Sequence, residues 1–221
     1  MSSTFLRYSS ITKKIWMSLL GLFLMFFLVV HLGINLCLLR SDPTWFNDAA
    51  HFMGTNYIVK VLEVVLFGGF ILHILFGIVL QLRNWRSRPV RYLVNPQTDT
   101  PWFSKYMIYT GGIVFIFLVI HLMDFYLIKL GWKGSPIPSL PNGHPDFYNL
   151  ARWLFTQPGY SVFYILMFMV LGVHLYHSFR AAFQSLGLNH KTYNTFLDVF
   201  GIVFSIVIPL GYIVIPIYYL I

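Results

Sequence analysis

Long apolar stretches separated by short polar segments rich in proline and glycine organise this chain from end to end. A hydrocarbon core is crossed by about 20 mostly apolar residues at the helical rise. Five segments meet that requirement: approximately Ile15–Leu39, Tyr57–Leu82, Lys105–Ile128, Tyr160–Phe183 and Thr195–Leu220. Helix breakers lie between them, at Asp42-Pro43, from Pro89 to Pro101, from Gly131 to Pro145 and from Gly187 to Asn194. The expected fold is therefore all-α, a polytopic membrane protein with five transmembrane helices in one membrane domain.

Composition agrees. Of 221 residues, 57% are hydrophobic and only 10% are charged, too few charges to solvate an ordinary globular surface, so most of the surface is expected to face lipid. The net charge of +8 reads as membrane topology and anionic-lipid contact. Without a basic patch interleaved with exposed aromatics, nucleic acid is not an expected partner. The single cysteine, Cys37, excludes an internal disulfide, a thiolate-bound iron-sulfur cluster, a multi-thiolate zinc site and covalent c-type haem. It reads as a small packing residue.

Basic residues also orient the spans. Arg7, Lys13, Lys14, Arg83, Arg86, Arg88, Arg91, Lys105, Arg180 and Lys191 fall on one side, and Arg40, Lys60, Lys129, Lys133 and Arg152 on the other. The positive-inside rule then puts the N-terminus in the cytoplasm and the C-terminus outside, in a bacterial inner membrane. The first apolar run is too long for a signal-peptide core and lacks a small-residue cleavage site, so it reads as a retained helix. The longest loop, Lys129–Gly159, spans roughly thirty residues, too short for a nucleotide-binding or flavin domain. Soluble chemistry is expected in another subunit.

Ionisable side chains inside spans are costly, and they mark function when they face a bundle interior. The first four expected spans carry one histidine each well inside: His31, His73, His121 and His174. Taken singly, each is as readily a hydrogen-bonded packing residue; the set is judged by its geometry. His31 lies sixteen residues beyond Ile15 and His121 sixteen beyond Lys105, roughly 24 Å from the cytoplasmic ends of their helices. His73 precedes Arg83 by ten residues and His174 precedes Arg180 by six, which gives depths of roughly 15 and 9 Å.

Two imidazole pairs at two depths on four helices match the requirement of bis-histidine ligation of two stacked haems, with an axial nitrogen on each side of each iron. The expected pairs are His31 with His121 on an outer haem and His73 with His174 on an inner one, about 9–15 Å apart along the membrane normal. The expected cofactors are thus two haem b in a four-helix bundle. The fifth span lacks histidine, carries Pro209 and Pro216, and reads as a packing helix. His177 points about 60° away from His174 on the helix, so His174 is taken as the ligand. His51, His144 and His190 fall in loops. Gly33, Gly68, Gly69, Gly77, Gly111, Gly112 and Gly172 lie near these positions, where small residues suit close approach of a porphyrin and equally suit helix packing.

The first span, SLLGLFLMFFLVVHLGIN, with its Gly-Leu-Phe run ten residues before His31, resembles the first helix of a known family: the single-chain di-haem cytochrome b subunits of bacterial succinate dehydrogenases and fumarate reductases, the membrane anchors of complex II. HILFGIVLQLRNWRSRP in span two, GGIVFIFLVIHL in span three and HLYHSFRAAFQSLG in span four are similar to the same family, and the four family haem histidines match His31, His73, His121 and His174 in turn. The resemblance implies docking on the cytoplasmic face to a flavoprotein carrying FAD and to an iron-sulfur protein. Electrons from succinate would pass through clusters, inner haem and outer haem to a quinone. Where some fumarate-reducing members have a glutamate two residues before the fourth haem histidine, this chain has Gly172, so the resemblance does not extend to that proton route.

Quinone reduction consumes two protons per two electrons and needs titratable groups close to a haem. Glu63 and Asp124, both expected near the outer haem, are the candidate protonation residues. The alternative for each is a carboxylate paired with Lys60 or Lys129 at a helix mouth. Such an outer site suits menaquinone, as in similar di-haem anchors, although the residues do not encode the quinone. Arg83, Lys105 and Arg180 are candidate partners of the inner haem propionates, and they equally satisfy the positive-inside pattern. Two rival readings stand beside this one: a quinone-reactive di-haem anchor of a nitrate reductase, formate dehydrogenase or hydrogenase, and a haem-free transporter whose histidines pack or relay protons.

Overall fold

A computed structural model describes residues 10–86, 107–188 and 190–221. Lys105, Arg88 and Arg91, with the breaker segment from Pro89 to Pro101, lie outside the described residues. Every regular element among those described is helical: α1 (Ser10–Asn35), a 3-10 turn Leu36–Leu39, α2 (Thr44–Thr55), α3 (Tyr57–Arg86), α4 (Met107–His121), a π turn Leu122–Tyr126, α5 (Leu127–Lys129), α6 (Phe147–Phe155), α7 (Pro158–Ser185) and α8 (Lys191–Leu220). Five helical stretches are long and apolar enough to cross a membrane: Ile11–Leu39, Tyr57–Arg86, Met107–Lys129, Pro158–Ser185 and Thr192–Leu220. The chain is a multi-pass, all-α membrane protein, and each expected span is present with its ends moved by a few residues.

Those ends have local causes. The side-chain oxygen of Asn56 accepts from the Ile58 N–H at 3.0 Å and opens α3. Pro158 occupies the first turn of α7, where its missing N–H costs nothing. Gly187, at φ 77°, turns the chain out of α7, because an L side chain resists that conformation.

The two apolar faces that pack most extensively belong to α7 and α8. On α7, Tyr164, Phe168, Leu171, Leu175 and Phe179 recur at helical spacing and are buried. They meet Ile208, Tyr212 and Ile215 of α8, and Met25 and Leu32 of α1 join the same core. Small residues bring these backbones together. A Cβ on Gly172 would lie 3.0 Å from the Ser205 carbonyl oxygen and 3.2 Å from Pro209, one on Gly201 2.8 Å from Phe179, and one on Gly211 2.8 Å from Leu32. Gly172 therefore serves the α7–α8 contact. α8 also touches α1 but is not packed on α3 or α4, the position expected of a packing helix.

Elsewhere the spans turn large apolar side chains outward, among them Val64 (73% exposed), Phe26 (67%) and Phe196 (67%), as lipid-facing surfaces require.

The four remaining spans form a bundle with a definite order. α1 lies beside α3 and α7, and α7 also lies beside α4, while α3 and α4 meet only along a thin seam. α1 and α4 consequently stand on one diagonal, and α3 and α7 on the other.

One end of the bundle is closed by two helices that the hydropathy pattern does not announce. α2 and α6 pack together there, and α6 buries Tyr148, Leu150, Ala151, Leu154 and Phe155. Asp146 holds the junction. Its carboxylate accepts from the Asn149 N–H at 3.0 Å, from the Asn149 side chain at 2.7 Å and from the Asn47 amide at 2.9 Å. Asn47 in turn accepts from the Tyr148 N–H at 3.0 Å.

Candidate metal centre

The four histidines sit one on each bundle helix, and their pairing follows the diagonals. His31 on α1 and His121 at the end of α4 face one another with ring centroids 5.9 Å apart and ring planes at 84°. A metal–imidazole bond of about 2.0–2.1 Å puts two opposed ring centroids roughly 6 Å apart, and edge-to-face packing of two rings spans about 4.5–7 Å; the observed spacing is compatible with either. Aromatic side chains surround the pair. Phe27 stacks on His31 at 5.1 Å, Phe125 lies 5.2 Å and Phe117 6.0 Å from His121, and Tyr212 lies 6.1 Å from His31.

A ligand nitrogen must keep its lone pair, so the partner of the other ring nitrogen matters. Tyr164 brings its hydroxyl to 3.5 Å from His121 Nδ1. For His174 the partner is Thr110, whose Oγ1 lies 3.2 Å from Nδ1. Thr110 spends its single hydroxyl proton on the Met107 carbonyl at 3.0 Å. It therefore accepts from an Nδ1–H of His174, and His174 Nε2 is left as a donor of electrons.

The inner pair is less closely assembled. His73 and His174 lie near enough to interact electrostatically, but their rings are not in contact. A ring N–H of His73 donates to the Met17 carbonyl on α1, and its buried Nδ1 has no hydrogen-bond partner. Each inner histidine rests on a glycine of a neighbouring helix. His73 Cε1 lies 3.5 Å from the Cβ position of Gly21, and His174 Cε1 3.4 Å from that of Gly111. Gly33, Gly68 and Gly112 have open space at theirs, whereas Gly69 abuts Phe23 and Gly77 abuts Met17. All four histidines are half-buried and keep some accessible surface.

These residues fit haem. Each diagonal supplies two imidazoles, two of the histidines have a hydroxyl beside Nδ1, and His73 Nδ1 is an orphaned buried polar atom of the kind a bound group satisfies. Among the described residues no cluster of three or more histidine, cysteine, aspartate or glutamate side chains forms an all-protein metal cage. His177 meets the ring of its neighbour Tyr176 at 4.8 Å.

Beyond the histidines, Glu63 accepts from the Tyr126 hydroxyl at 2.5 Å and from Lys129 at 2.6 Å, linking α3 to the end of span three. Asp124 pairs with Lys133 at 2.7 Å and accepts from Tyr160 at 3.0 Å. It lies on the wall of a pocket of about 570 Å³ that Ile128, Pro136, Trp153 and Leu154 also line. Arg180 is 63% exposed and pairs with Asp198 at 3.3 Å. Arg83 lies in the last turn of α3, near enough to Lys13 for their charges to interact.

Three features of the site carry little trace in the sequence. Gly21 as the seat of His73 and Tyr164 as the partner of His121 depend on helix neighbours distant along the chain. The π turn directly after His121, where the Leu127 N–H reaches the Leu122 carbonyl, has no composition signal. Such turns recur at functional sites.

Comparison with protein-family models, with curated proteins and with solved structures finds no match.

Proposed function

We propose that this chain is the di-haem cytochrome b membrane anchor of a succinate:quinone oxidoreductase, passing electrons between an iron-sulfur subunit and a quinone. The observation that supports it best is the opposed pair His31 and His121, on the α1–α4 diagonal at a separation that suits one iron. His73 and His174, on the other diagonal, are the proposed ligands of the second haem. When bound, haem b supplies one-electron transfer at each of the two positions.

The chain's own residues have separable tasks. His31 and His121 hold one iron in an aromatic enclosure, with Nδ1 of His121 engaged by Tyr164. Thr110 orients His174, and Gly21 and Gly111 let the inner imidazoles lie close to backbone. Asp124 and Glu63, both held in ion pairs at the end of the bundle that carries His31 and His121, are the proposed proton-exchanging carboxylates for the quinone. Asp124 lies in the more suitable place, because it borders a pocket. Arg83, Lys105 and Arg180 are the proposed contacts of the inner propionates; Arg180 also pairs with Asp198.

In this reading the chain spans a bacterial cytoplasmic membrane with its N-terminus inside, and the inner histidines approach the face on which the FAD and iron-sulfur subunits dock. Menaquinone is the proposed quinone.

Affinity purification of the tagged chain from native membranes tests the assignment to complex II. The proposal expects a flavoprotein with covalent or tightly held FAD and an iron-sulfur protein in the eluate, with succinate-dependent reduction of the haems. A molybdenum- or nickel-containing partner would overturn it in favour of another respiratory enzyme.

A further inference from the structure

At the end of the bundle that carries His121, five side chains form one hydrogen-bonded line. His121 Nδ1 lies 3.5 Å from the Tyr164 hydroxyl, which lies 2.8 Å from that of Tyr160. The Tyr160 hydroxyl is 3.0 Å from one oxygen of Asp124, and the other oxygen is 2.7 Å from the Lys133 ammonium. Tyr164, only 2% exposed, is closed off from any other polar partner by Phe117, Phe155, Phe163 and Phe168.

The ends of the line fix the order of its protons. Asp124, paired with an ammonium, is a carboxylate and accepts only, so Tyr160 donates to it. A phenol has one proton. The Tyr160 oxygen therefore accepts from Tyr164, and Tyr164, its proton spent, accepts from His121. That requires the His121 proton to sit on Nδ1 and leaves Nε2 with its lone pair.

The backbone is arranged for this. Tyr160 and Tyr164 are one turn apart and stack at 4.5 Å on the same face of α7. The π turn after His121 carries Asp124 to the far end of the line.

We infer that Tyr160 and Tyr164 are positioning residues that hold His121 in its Nδ1–H tautomer and connect this ligand to the charge of Asp124 on the wall of the pocket. The inference rests on the reading of His121 as an axial ligand. In carboxylate–histidine–metal arrangements the carboxylate orients the ring and raises the basicity of the ligand. Here it acts through two phenols. A change at the pocket that moves Lys133 away from Asp124 would thereby alter the charge presented to the His121 ring.

Two measurements test it. The first is the ¹⁵N spectrum of the full chain labelled at histidine, recorded with and without haem and assigned with His121→Gln. The expected result is an Nδ1-protonated ring in the wild type and loss of that tautomer in Tyr164→Phe, with Tyr160→Phe acting in the same direction. An Nε2-protonated His121 in the wild type, or an unchanged tautomer in both tyrosine variants, would overturn the inference.

The second is a redox titration of the assembled complex. Tyr164→Phe and Asp124→Asn should each raise the reduced-to-oxidised ratio of the outer haem several-fold at a fixed poise, because a less basic ligand and a lost negative charge both favour the ferrous state. The effect of Asp124→Asn should shrink in the Tyr164→Phe background. Equal effects in both backgrounds would show that the tyrosines carry nothing between the two sites. A chain that never takes up haem would remove the proposed function, and the tautomer measurement would still decide the line of hydrogen bonds.

Discussion

His31 and His121 approach each other from helices that do not pack together: their rings are 5.9 Å apart and nearly perpendicular, while α1 and α4 lie across the bundle from one another. In the proposed reading a metal ion binds between these two rings, and this makes a specific demand on substitutions. His121→Met retains a ligand of a softer kind, and methionine–histidine ligation raises haem potentials relative to bis-histidine. One of the two haem steps in a redox titration should move upward and the other should stay. Two unmoved steps would contradict the ligand assignment.

The close contacts at α8 give a second prediction. Gly172→Ala places a Cβ against the Ser205 carbonyl and Pro209, neither of which is a flexible side-chain end, and overpacking of this kind costs about 1–3 kcal/mol. Gly112→Ala meets nothing within 4 Å and should keep or raise stability, since alanine is favoured over glycine in a helix interior by about 1 kcal/mol. Thermal unfolding of the haem-free chain in detergent distinguishes them. Equal melting temperatures for the two variants would contradict the packing role of Gly172.

A third prediction concerns Asp146, which lies outside the spans. Burial pushes its carboxyl upward, but the donors gathered on it, the Asn149 N–H first, then the Asn47 and Asn149 side chains, outweigh this and hold it below the usual carboxylate range. Its native value being lowered, the stabilisation is fully present above the unfolded value of about 4 and is lost as pH falls through the lower folded value. Asp146→Ala, which deletes the N-cap of α6, should cost about 0.5–2 kcal/mol at neutral pH. The gap in stability between variant and wild type, measured by thermal unfolding across pH, should narrow below about pH 4. A gap independent of pH would show that the charge of Asp146 contributes nothing.

The spans and the nearness of His31 to His121 were legible because each depends on a quantity that runs along the chain. Hydropathy marks where a helix crosses, and residue counts from the expected span starts, Ile15 and Lys105, give His31 and His121 the same depth. Diagonal neighbours then follow from bundle order. α2 and α6 were missed for the opposite reason. Both lie in segments with polar, proline- and glycine-bearing flanks, and their helicity depends on contacts such as Asn47 with Asp146, ninety-nine residues apart. His73 shows a further limit. Its depth is readable from sequence, but the hydrogen bond to Met17 that turns its ring toward α1 depends on side-chain conformation. Gly172 was grouped with glycines near the histidines because it lies two residues before His174, yet its Cα faces the opposite way, into α8.

The central claim is that the four histidines hold two haems in two separate places. Pyridine-haemochrome quantitation with reduced-minus-oxidised spectra of the complex purified with its native partners, in wild type, His31→Ala and His73→Ala, tests it most directly. The account predicts about two b haems per chain, one from each diagonal, with one haem lost in each variant and a different one in each. Absence of haem from the wild type, or colour that neither substitution changes, would contradict it.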